Sequence, residues 1–281
     1  MKYVTELLST GLGTPAQLLI PQTIHSVLLD EVEKSLIPRS EAGLFLGPAQ
    51  IPGSSVYVDL ESENTMDVRE VAEGAEVPLD QASYESVQFL PRKYGVAIRI
   101  TREMMEDSQF PLLELNIRTA GRRFAENENS LVVTDALDQA ANTTAGGATV
   151  TIANITATMQ FLEDADYSPS TFFVGMEVLN DLRNIDTFVE FEKVGNTDML
   201  KTGFLGNIYG MNVVRVSTNA GMTTTSAYIT DKRHAYGIAE KRPLSVERFE
   251  LPTFDMSGAV LTQRLKVAAL RTNAIAKITS S

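Results

Sequence analysis

The residues best suited to acid–base, nucleophilic or thiolate chemistry are few in this chain and stand apart from one another. It has two histidines, His25 and His234, and no cysteine. A zinc protease helix carries two histidines four positions apart, and thiol catalysis or a cysteine zinc site needs cysteine. Because neither pattern is present, we expect each histidine to be solvated or at the edge of a core, and we assign no catalytic residue.

Divalent-cation sites also lack their defining pattern. The acidic pairs Asp164/Asp166 and Glu190/Glu192 offer oxygen ligands of the kind that Ca²⁺ binds. The spacing of an EF-hand loop, with its glycine and closing glutamate, is missing around both pairs. We therefore predict no metal site.

Phosphate-binding loops need glycines that let backbone N–H groups approach the ligand, followed by lysine and a hydroxyl residue at a helix start. Gly146 and Gly147 are followed by alanine and threonine, and no lysine stands at the required place after the glycine-rich run at residues 203–210. We predict tight turns between strands for this run, and no bound cofactor.

The composition predicts a folded protein without a membrane span or a dedicated nucleic-acid-binding surface. The 281 residues are 43% hydrophobic and 21% charged, which suffices for a core in one large or two modest domains. The formal net charge of −12 argues against tight binding to phosphate backbones. No apolar run approaches the roughly 18–20 residues of a membrane helix, and a signal-peptide pattern is missing. Since the chain begins at Met1, we expect no removable leading segment.

Before residue 101, the pattern predicts an extended arm, a short helix and a long hairpin. Glycines and prolines interrupt residues 1–20, and residues 22–36 have helical apolar spacing that stops at Pro38. This helix is either an ordinary surface helix or one that packs on a neighbouring copy. Residues 51–60 and 87–100 alternate apolar and polar side chains, which predicts strands. The stretch between them is too acidic to be buried in its own subunit, so the hairpin is either solvated or laid on another copy.

A long amphipathic helix is predicted to follow Pro111. Its apolar stripe is formed by Leu113, Ile117, Ala120, Phe124 and Leu131. We expect it to end before residues 142–147, NTTAGG, which lack hydrophobic periodicity and predict a flexible turn or loop.

The rest of the chain alternates irregularly between helices and strands. Helices are predicted at residues 155–166 and 176–183, and strands at residues 171–174, 212–216, 227–230, 244–249 and 260–270. Because regular β–α–β alternation is absent, the predicted fold class is α+β.

Two stretches of the sequence resemble one known family. One is residues 71–137, running from VAEGAEVPLD through PRKYGVAIRI to LLELNIRTAGRRFAENENSLVV. The other is residues 203–250, which include GFLGNIYGMNVVRVS and ITDKRHAYGIAEKRPLSVERFE. Both are similar to the major capsid proteins of tailed viruses with the Hong Kong 97-type fold, and the likeness extends over residues 21–278.

The resemblance implies a division of the chain into the segments of that capsid fold. Residues 1–37 would be an N-arm with a short helix, and residues 51–95 an extended E-loop hairpin. The peripheral domain, with a long spine helix, would comprise residues 38–50, 96–141 and 251–269. The axial domain would comprise residues 142–250 and 270–281.

The function implied is that of a non-enzymatic major capsid protein, assembled in the host cytoplasm and located in the virion. It would self-assemble as hexamers and pentamers into an icosahedral shell around double-stranded DNA, which it would touch only by weak non-specific contacts. Other implied partners are a portal protein and a scaffolding or cement protein. The alternative is an encapsulin-like nanocompartment shell with protein cargo. A small-molecule enzyme is disfavoured because no set of nucleophile, base and oxyanion donors stands out.

Two sets of residues are predicted to act where copies meet. The set at the E-loop tip consists of Glu70, Glu73, Gly74 and Glu76. The basic cluster on the spine helix consists of Arg118, Arg122 and Arg123. This cluster is either a solvated face that makes ion pairs between subunits or a weak contact with the genome.

Some members of the family join an E-loop lysine to an asparagine of a neighbouring copy with the help of a glutamate. No lysine stands between Lys34 and Lys93, so the E-loop tip offers no amine. Asp255 stands near the position of the family's asparagine, with Thr262 and Gln263 near that of its glutamate. We therefore predict no covalent crosslink.

Overall fold

The computed structural model describes residues 37, 39–61, 68–77, 79, 83–107, 112–185 and 206–280. Residues 1–36 of the predicted N-arm, which include its helix at residues 22–36, lie outside this part of the chain. So do Glu190, Glu192 and His25.

Within the described residues, strands and helices follow one another along the chain. Their order is β1 (Leu44–Leu46), β2 (Val56–Glu61), β3 (Tyr84–Phe89), β4 (Arg92–Thr101), α1 (Arg102–Asp107), α2 (Leu112–Asp135), β5 (Asn142–Gly147), α3 (Ile152–Glu163), β6 (Thr171–Val174), α4 (Met176–Asn184), β7 (Asn207–Ile208), β8 (Met211–Arg215), β9 (Ser226–Thr230), β10 (Tyr236–Leu251), β11 (Met256–Ala269) and β12 (Ile275–Ser280). A short 3₁₀ turn, Arg39–Glu41, precedes β1.

These strands form two larger sheets and a separate hairpin. The first sheet has the order β1-β10-β11-β4, and we call it the peripheral sheet. The second has the order β5-β12-β9-β6-β8-β7, and we call it the axial sheet. Strands β2 and β3 pair only with each other, antiparallel, and form the E-loop hairpin.

Helix α2, the predicted spine helix, packs on both sheets. In its first half Ile117, Ala120 and Phe124 are buried against Leu261 and other residues of β10 and β11. Its second half enters a larger core that joins both sheets, whose members include Val132, Val133, Phe173, Tyr228, Leu265 and Val267. The amphipathic stripe is thus confirmed for these residues, and the helix fixes one sheet against the other.

Several predicted elements are confirmed with shifts of a few residues at their ends. In β2 the side chains alternate between half-buried and exposed, as the period of two predicts. The strand at 171–174 and the helix from Met176 match closely. Helix α3 begins three residues earlier than predicted because Thr151 caps it, accepting a hydrogen bond from the Asn154 backbone N–H at 3.4 Å.

The predicted loop at residues 142–147 is wrong, because NTTAGG forms strand β5. It pairs in parallel with β12, with Thr144 opposite Ile278. The pairing satisfies the strand's backbone groups through a segment more than a hundred residues away, so no hydrophobic alternation is needed in the strand itself.

The predicted boundary at residue 250, between the axial and peripheral parts of the chain, does not coincide with the boundary between the two sheets. Strand β10 pairs with β11 along its length and therefore belongs to the peripheral sheet, whereas residues 142–250 were all expected to be axial. The sequences of β10 and β11 are both hydrophobic, and this pattern does not indicate to which sheet the hairpin belongs. The limits of the domains as units stay a prediction.

Candidate assembly surfaces

The E-loop hairpin is held at its base and exposed along its length. At the base, Phe89 and Ile51 are buried with Ala239 of β10. Further out, Tyr57 and Tyr84 are exposed, and the Gln88 side-chain amide donates a hydrogen bond to the Tyr57 hydroxyl at 2.9 Å. The hairpin therefore has a small anchor and a large free surface.

The four residues predicted at the E-loop tip lie on one exposed turn and its flanks. The Ala75 N–H donates to the Ala72 carbonyl at 3.0 Å, and Gly74 has φ of +82°, a left-handed conformation that favours glycine. Glu70, Glu73 and Glu76 are all exposed. The turn explains why glycine stands at the tip and how three carboxylates project into solvent.

Apolar side chains are exposed beside these carboxylates. Val77 is 67% exposed and Leu79 is 96% exposed. Large apolar side chains that stay in water next to one another mark a surface suited to a protein partner.

The predicted basic cluster lies on the outer face of α2. Arg118, Arg122 and Arg123 are exposed, and the Arg123 guanidinium donates to Glu126 at 2.7 Å. Exposed pairs of this kind contribute less than about 1 kcal/mol. The structure brings the three arginines together on one helix, α2.

A buried polar cluster at the joint between α2 and the peripheral sheet was not predicted. The Arg39 guanidinium donates from Nε and Nη2 to the two carboxylate oxygens of Glu128, at 2.7 and 2.8 Å. It also donates to both oxygens of Glu240 at 3.3 Å, and the Gln263 amide donates to each carboxylate at 3.2 Å. Glu128 is 3% exposed and Glu240 is 7% exposed.

One signal in the sequence pointed to this cluster. Glu128 lies four positions after Phe124, on the apolar side of an amphipathic helix where a charge is out of place. A buried charge needs a partner, so the pattern predicts a counter-ion. It does not say which of the 24 lysines and arginines supplies it.

Two other residues considered in the sequence, His234 and Gly210, lie in turns of the subunit. His234 Nδ1 lies 2.6 Å from a carboxylate oxygen of Asp231, whose other oxygen accepts the Arg233 backbone N–H at 3.0 Å. Gly210 has φ of +83° in the turn between β7 and β8, as predicted for the glycine-rich run, while Gly203 lies outside the described residues.

The three positions compared with the family's crosslinking site are not equivalent in their surroundings. Asp255 is exposed at the tip of the β10–β11 hairpin, 3.3 Å from the Arg102 guanidinium. Thr262 and Gln263 are buried in β11, and the Gln263 amide is engaged with Glu128 and Glu240.

A concavity of about 470 Å³ lies between the start of α3 and the end of α4. The acidic residue in its lining, Asp181, accepts the Val150 backbone N–H at 3.0 Å. That carboxylate therefore holds the chain in place before α3.

Metal-binding clusters and membrane-spanning helices are both absent from the residues that the structure describes. No group of three or more histidines and carboxylates suited to a metal ion occurs among them. None of the helices described is long and apolar enough to span a bilayer.

Comparison with known proteins gives one family and many similar structures. The profile of the phage capsid protein family matches residues 84–278. No curated protein sequence matches the chain at a significant level.

The similar structures have low sequence identity and extensive coverage. A chain from Microbacterium phage Oxtober96 has a TM-score of 0.66 at 15% identity, over 87% of this chain and 91% of that chain. The mature capsid of bacteriophage PhiM1 gives 0.67 at 12%, over 88% of this chain and 87% of that chain. A virus-like particle from Pyrococcus furiosus gives 0.61 at 12%, over 92% and 98%. At these identities the likeness shows a shared fold.

Proposed function

Because the chain belongs to the phage capsid protein family, whose profile covers residues 84–278, we propose that it builds the icosahedral shell of a tailed virus as hexamers and pentamers. It is a major capsid protein with the α+β, Hong Kong 97-type fold, and it is a component of the virion. The encapsulin-like alternative is not favoured, since the matching family is that of phage capsid proteins. The likeness to the Pyrococcus particle concerns the fold.

The E-loop is proposed as the main clasp between copies. The supporting observation is its exposed tip, where Glu70, Glu73 and Glu76 stand beside Val77 and Leu79. A hairpin with so small an anchor gains stability by burying that apolar surface on another subunit. Its carboxylates then act at the rim of the contact, where they set register more than affinity.

The basic cluster on the spine helix is proposed to serve contacts outside its own chain. Arg118, Arg122 and Arg123 present guanidinium groups that suit carboxylates of a neighbouring subunit. Where the helix faces the interior, the same groups would give weak, non-specific contact with packaged double-stranded DNA. The net charge of −12 keeps that attraction small.

Further partners belong to the same proposal. Filling and closing the shell would require a portal protein, and a separate scaffolding or cement protein would guide or reinforce assembly. Self-association is the part with direct support, because the similar phage chains come from assembled capsids such as that of PhiM1.

The relatives in this family are structural proteins, and we propose that this chain performs no catalysis. In particular it would form no lysine–asparagine crosslink, because no lysine stands between Lys34 and Lys93 and the E-loop tip therefore offers no amine. Asp255 and Gln263, at the compared positions, differ from the asparagine and glutamate that the reaction uses.

Electron microscopy of the purified, assembled chain tests the shell directly. We expect closed icosahedral particles with pentameric and hexameric clusters, and particles from infected cells should contain double-stranded DNA protected from nuclease. Chains that stay monomeric under all assembly conditions would contradict the proposal. Particles filled with one protein and free of nucleic acid would instead indicate a compartment shell.

A further inference from the structure

Ile37 and the residues Arg39–Gly43 form a segment that we call the strap. It leads from the residues before 37 into β1, the edge strand of the peripheral sheet. Its middle is a single 3₁₀ turn, closed by the hydrogen bond from the Ala42 N–H to the Arg39 carbonyl at 3.2 Å. Residues two apart in such a turn point to different sides, so Arg39 and Glu41 reach different parts of the molecule.

One side of the strap is attached to the spine helix and the peripheral sheet. Besides the fork of Arg39 to Glu128 and Glu240, the Ile37 N–H donates to the side-chain oxygen of Asn129 at 2.8 Å. The Gly43 N–H donates to the Tyr236 carbonyl at 3.0 Å. The strap also lies so close to the chain before β10 that a Cβ on Gly43 would stand 2.2 Å from the Arg233 carbonyl oxygen.

The other side of the strap is attached to the axial sheet. Glu41 is buried, and its carboxylate accepts a hydrogen bond from the Thr171 hydroxyl of β6 at 2.5 Å. It also accepts one from the Asn212 side-chain amide of β8 at 3.4 Å. One turn of chain therefore bonds both sheets and the helix between them.

The carboxylates of the two attachments both affect Tyr236. Burial works against the charged form of Arg39, but its hydrogen bonds and attraction to Glu128 and then Glu240 outweigh burial and raise its pKa. Burial raises the pKa of Tyr236, and the negative charges of Glu41 and Glu128 raise it further. The Tyr236 side chain thus lies within electrostatic reach of carboxylates on both sides of the strap.

A partly detached strap is unfavourable. If Arg39 moved away, Glu128 and Glu240 would stay buried without this counter-ion, and an uncompensated buried charge is strongly destabilising. A strap attached on one side is therefore less stable than a strap attached on both sides or a joint that has fully rearranged. We call a segment with two such alternative states a latch.

We infer that the strap is a two-sided latch across the joint between the two sheets. Arg39 holds the spine helix and the peripheral sheet, Glu41 holds the axial sheet, and loss of either attachment loosens both.

Hydrogen–deuterium exchange of the purified full-length chain tests the latch without requiring any shell. The variants are Arg39→Gln, Glu41→Gln and the triple variant Arg39→Gln/Glu128→Gln/Glu240→Gln, with the exposed Arg248→Gln as matched control. Peptides over Thr171–Val174 report on the axial attachment, and peptides over residues 124–133 report on the spine helix. Helix α3, which packs on β5 and β12, serves as the reference for global unfolding.

We expect Arg39→Gln to speed exchange in β6, and Glu41→Gln to speed exchange in residues 124–133, each by about tenfold relative to α3. Arg248→Gln should change neither. Effects confined to the side on which each substitution lies would overturn the inference.

The triple variant distinguishes loss of the strap's attachment from the effect of an unpaired buried charge. It also provides a folded protein to measure if Arg39→Gln does not fold. Because no buried charge is left unpaired, its melting temperature should return toward that of the unmodified chain. Exchange in β6 should nevertheless stay fast, since the strap has lost the Arg39 fork that held its peripheral side. Normal exchange in β6 of the triple variant would overturn the coupling, whatever the outcome of the shell experiments.

Discussion

The E-loop and the joint around the spine helix use similar residues in opposite ways. In the joint, Phe124 is 4% exposed and Glu128 is 3% exposed, so apolar and charged side chains alike are satisfied inside one chain. In the E-loop, Tyr84 is 70% exposed and Leu79 is 96% exposed, next to carboxylates in water. The difference separates two tasks: the joint stabilises the subunit, and the E-loop leaves its apolar surface for another copy.

The same contrast appears in the hydrogen bonds. The strap and α2 are joined by a fork of charge-assisted bonds from Arg39 to Glu128 that are short and well directed, and the same guanidinium reaches Glu240 of the peripheral sheet. In the described part of the E-loop tip, the Ala75 N–H bonds to the Ala72 carbonyl across a single turn, and Glu70, Glu73 and Glu76 around it are exposed. A region built in this way can adapt its shape to a neighbour, whereas the joint resists deformation.

Removal of the E-loop tip should have the largest effect, and only on assembly. Deletion of residues 66–79 removes the E-loop tip, whose described residues belong to no buried cluster, so the subunit should keep its melting temperature while stable shells are lost. Particle yield by sedimentation and subunit melting by circular dichroism measure the two outcomes. A Gly/Ser segment of equal length is the control for chain connectivity. Normal assembly of the deletion variant, with unchanged resistance to heating, would refute the clasp.

Truncation of a buried ring should have the largest effect on the subunit. Phe124→Ala should lower the free energy of unfolding by about 3–5 kcal/mol, because a filled site in the α2 core becomes a cavity. Tyr84→Ala, in the E-loop, is the matched control and should change that free energy by less than about 0.5 kcal/mol. Urea unfolding of both variants gives the comparison, and equal values would abolish the distinction between the two regions.

A smaller effect should depend on pH at the axial end of the joint. Partial burial works to raise the pKa of Asp138, but hydrogen bonds from Lys277 at 2.8 Å and Tyr228 at 2.6 Å outweigh it and hold the pKa below its usual value. A lowered pKa stabilises the folded state above the unfolded-state value, and that stability is lost as the pH falls through the folded-state value. Asp138→Asn should therefore cost up to about 1 kcal/mol at neutral pH and progressively less below about pH 4.

The control for this pH dependence lies in the E-loop. Glu85 is exposed on β3, so Glu85→Gln should change the unfolding free energy little at any pH. A cost of Asp138→Asn that stays constant from pH 7 to about pH 3 would show that its bonds to Lys277 and Tyr228 do not depend on its charge.

The last prediction is that no covalent bond joins the E-loop of one copy to a neighbouring copy. Because no lysine stands between Lys34 and Lys93, the E-loop tip supplies no amine, and mature particles boiled in detergent should release the chain as one band near 30.7 kDa. Cohesion would then come from buried apolar area, roughly 25 cal/mol per Å². A ladder of pentameric and hexameric rings on that gel would contradict it.

Elements with a strong local pattern could be predicted from the sequence. The alternation of Val56, Val58 and Leu60 marks β2, and the spacing of Ile117, Ala120 and Phe124 marks the buried side of α2. The acidic, core-less character of the E-loop was also visible before the fold was known. Local periodicity reports which face of an element is buried, and that is sufficient for these features.

Features that depend on a distant partner could not be predicted. Strand β5 has no apolar pattern and exists because β12 pairs with it, and β10 lies in the peripheral sheet because β11 and β1 flank it. The position of Glu128 on the helix indicated that a counter-ion was needed but did not identify it.

By itself, the sequence determined most element types, the likeness to the capsid family, the acidic E-loop and the absence of lysine between Lys34 and Lys93. Only the tertiary structure decided which strands share a sheet and which cation meets which carboxylate. Arg39 and Glu240 are separated by 201 positions, and Glu41 and Asn212 by 171. Side-chain periodicity extends over one element at a time, whereas a buried charge is satisfied by any donor that the folded chain brings within about 3 Å.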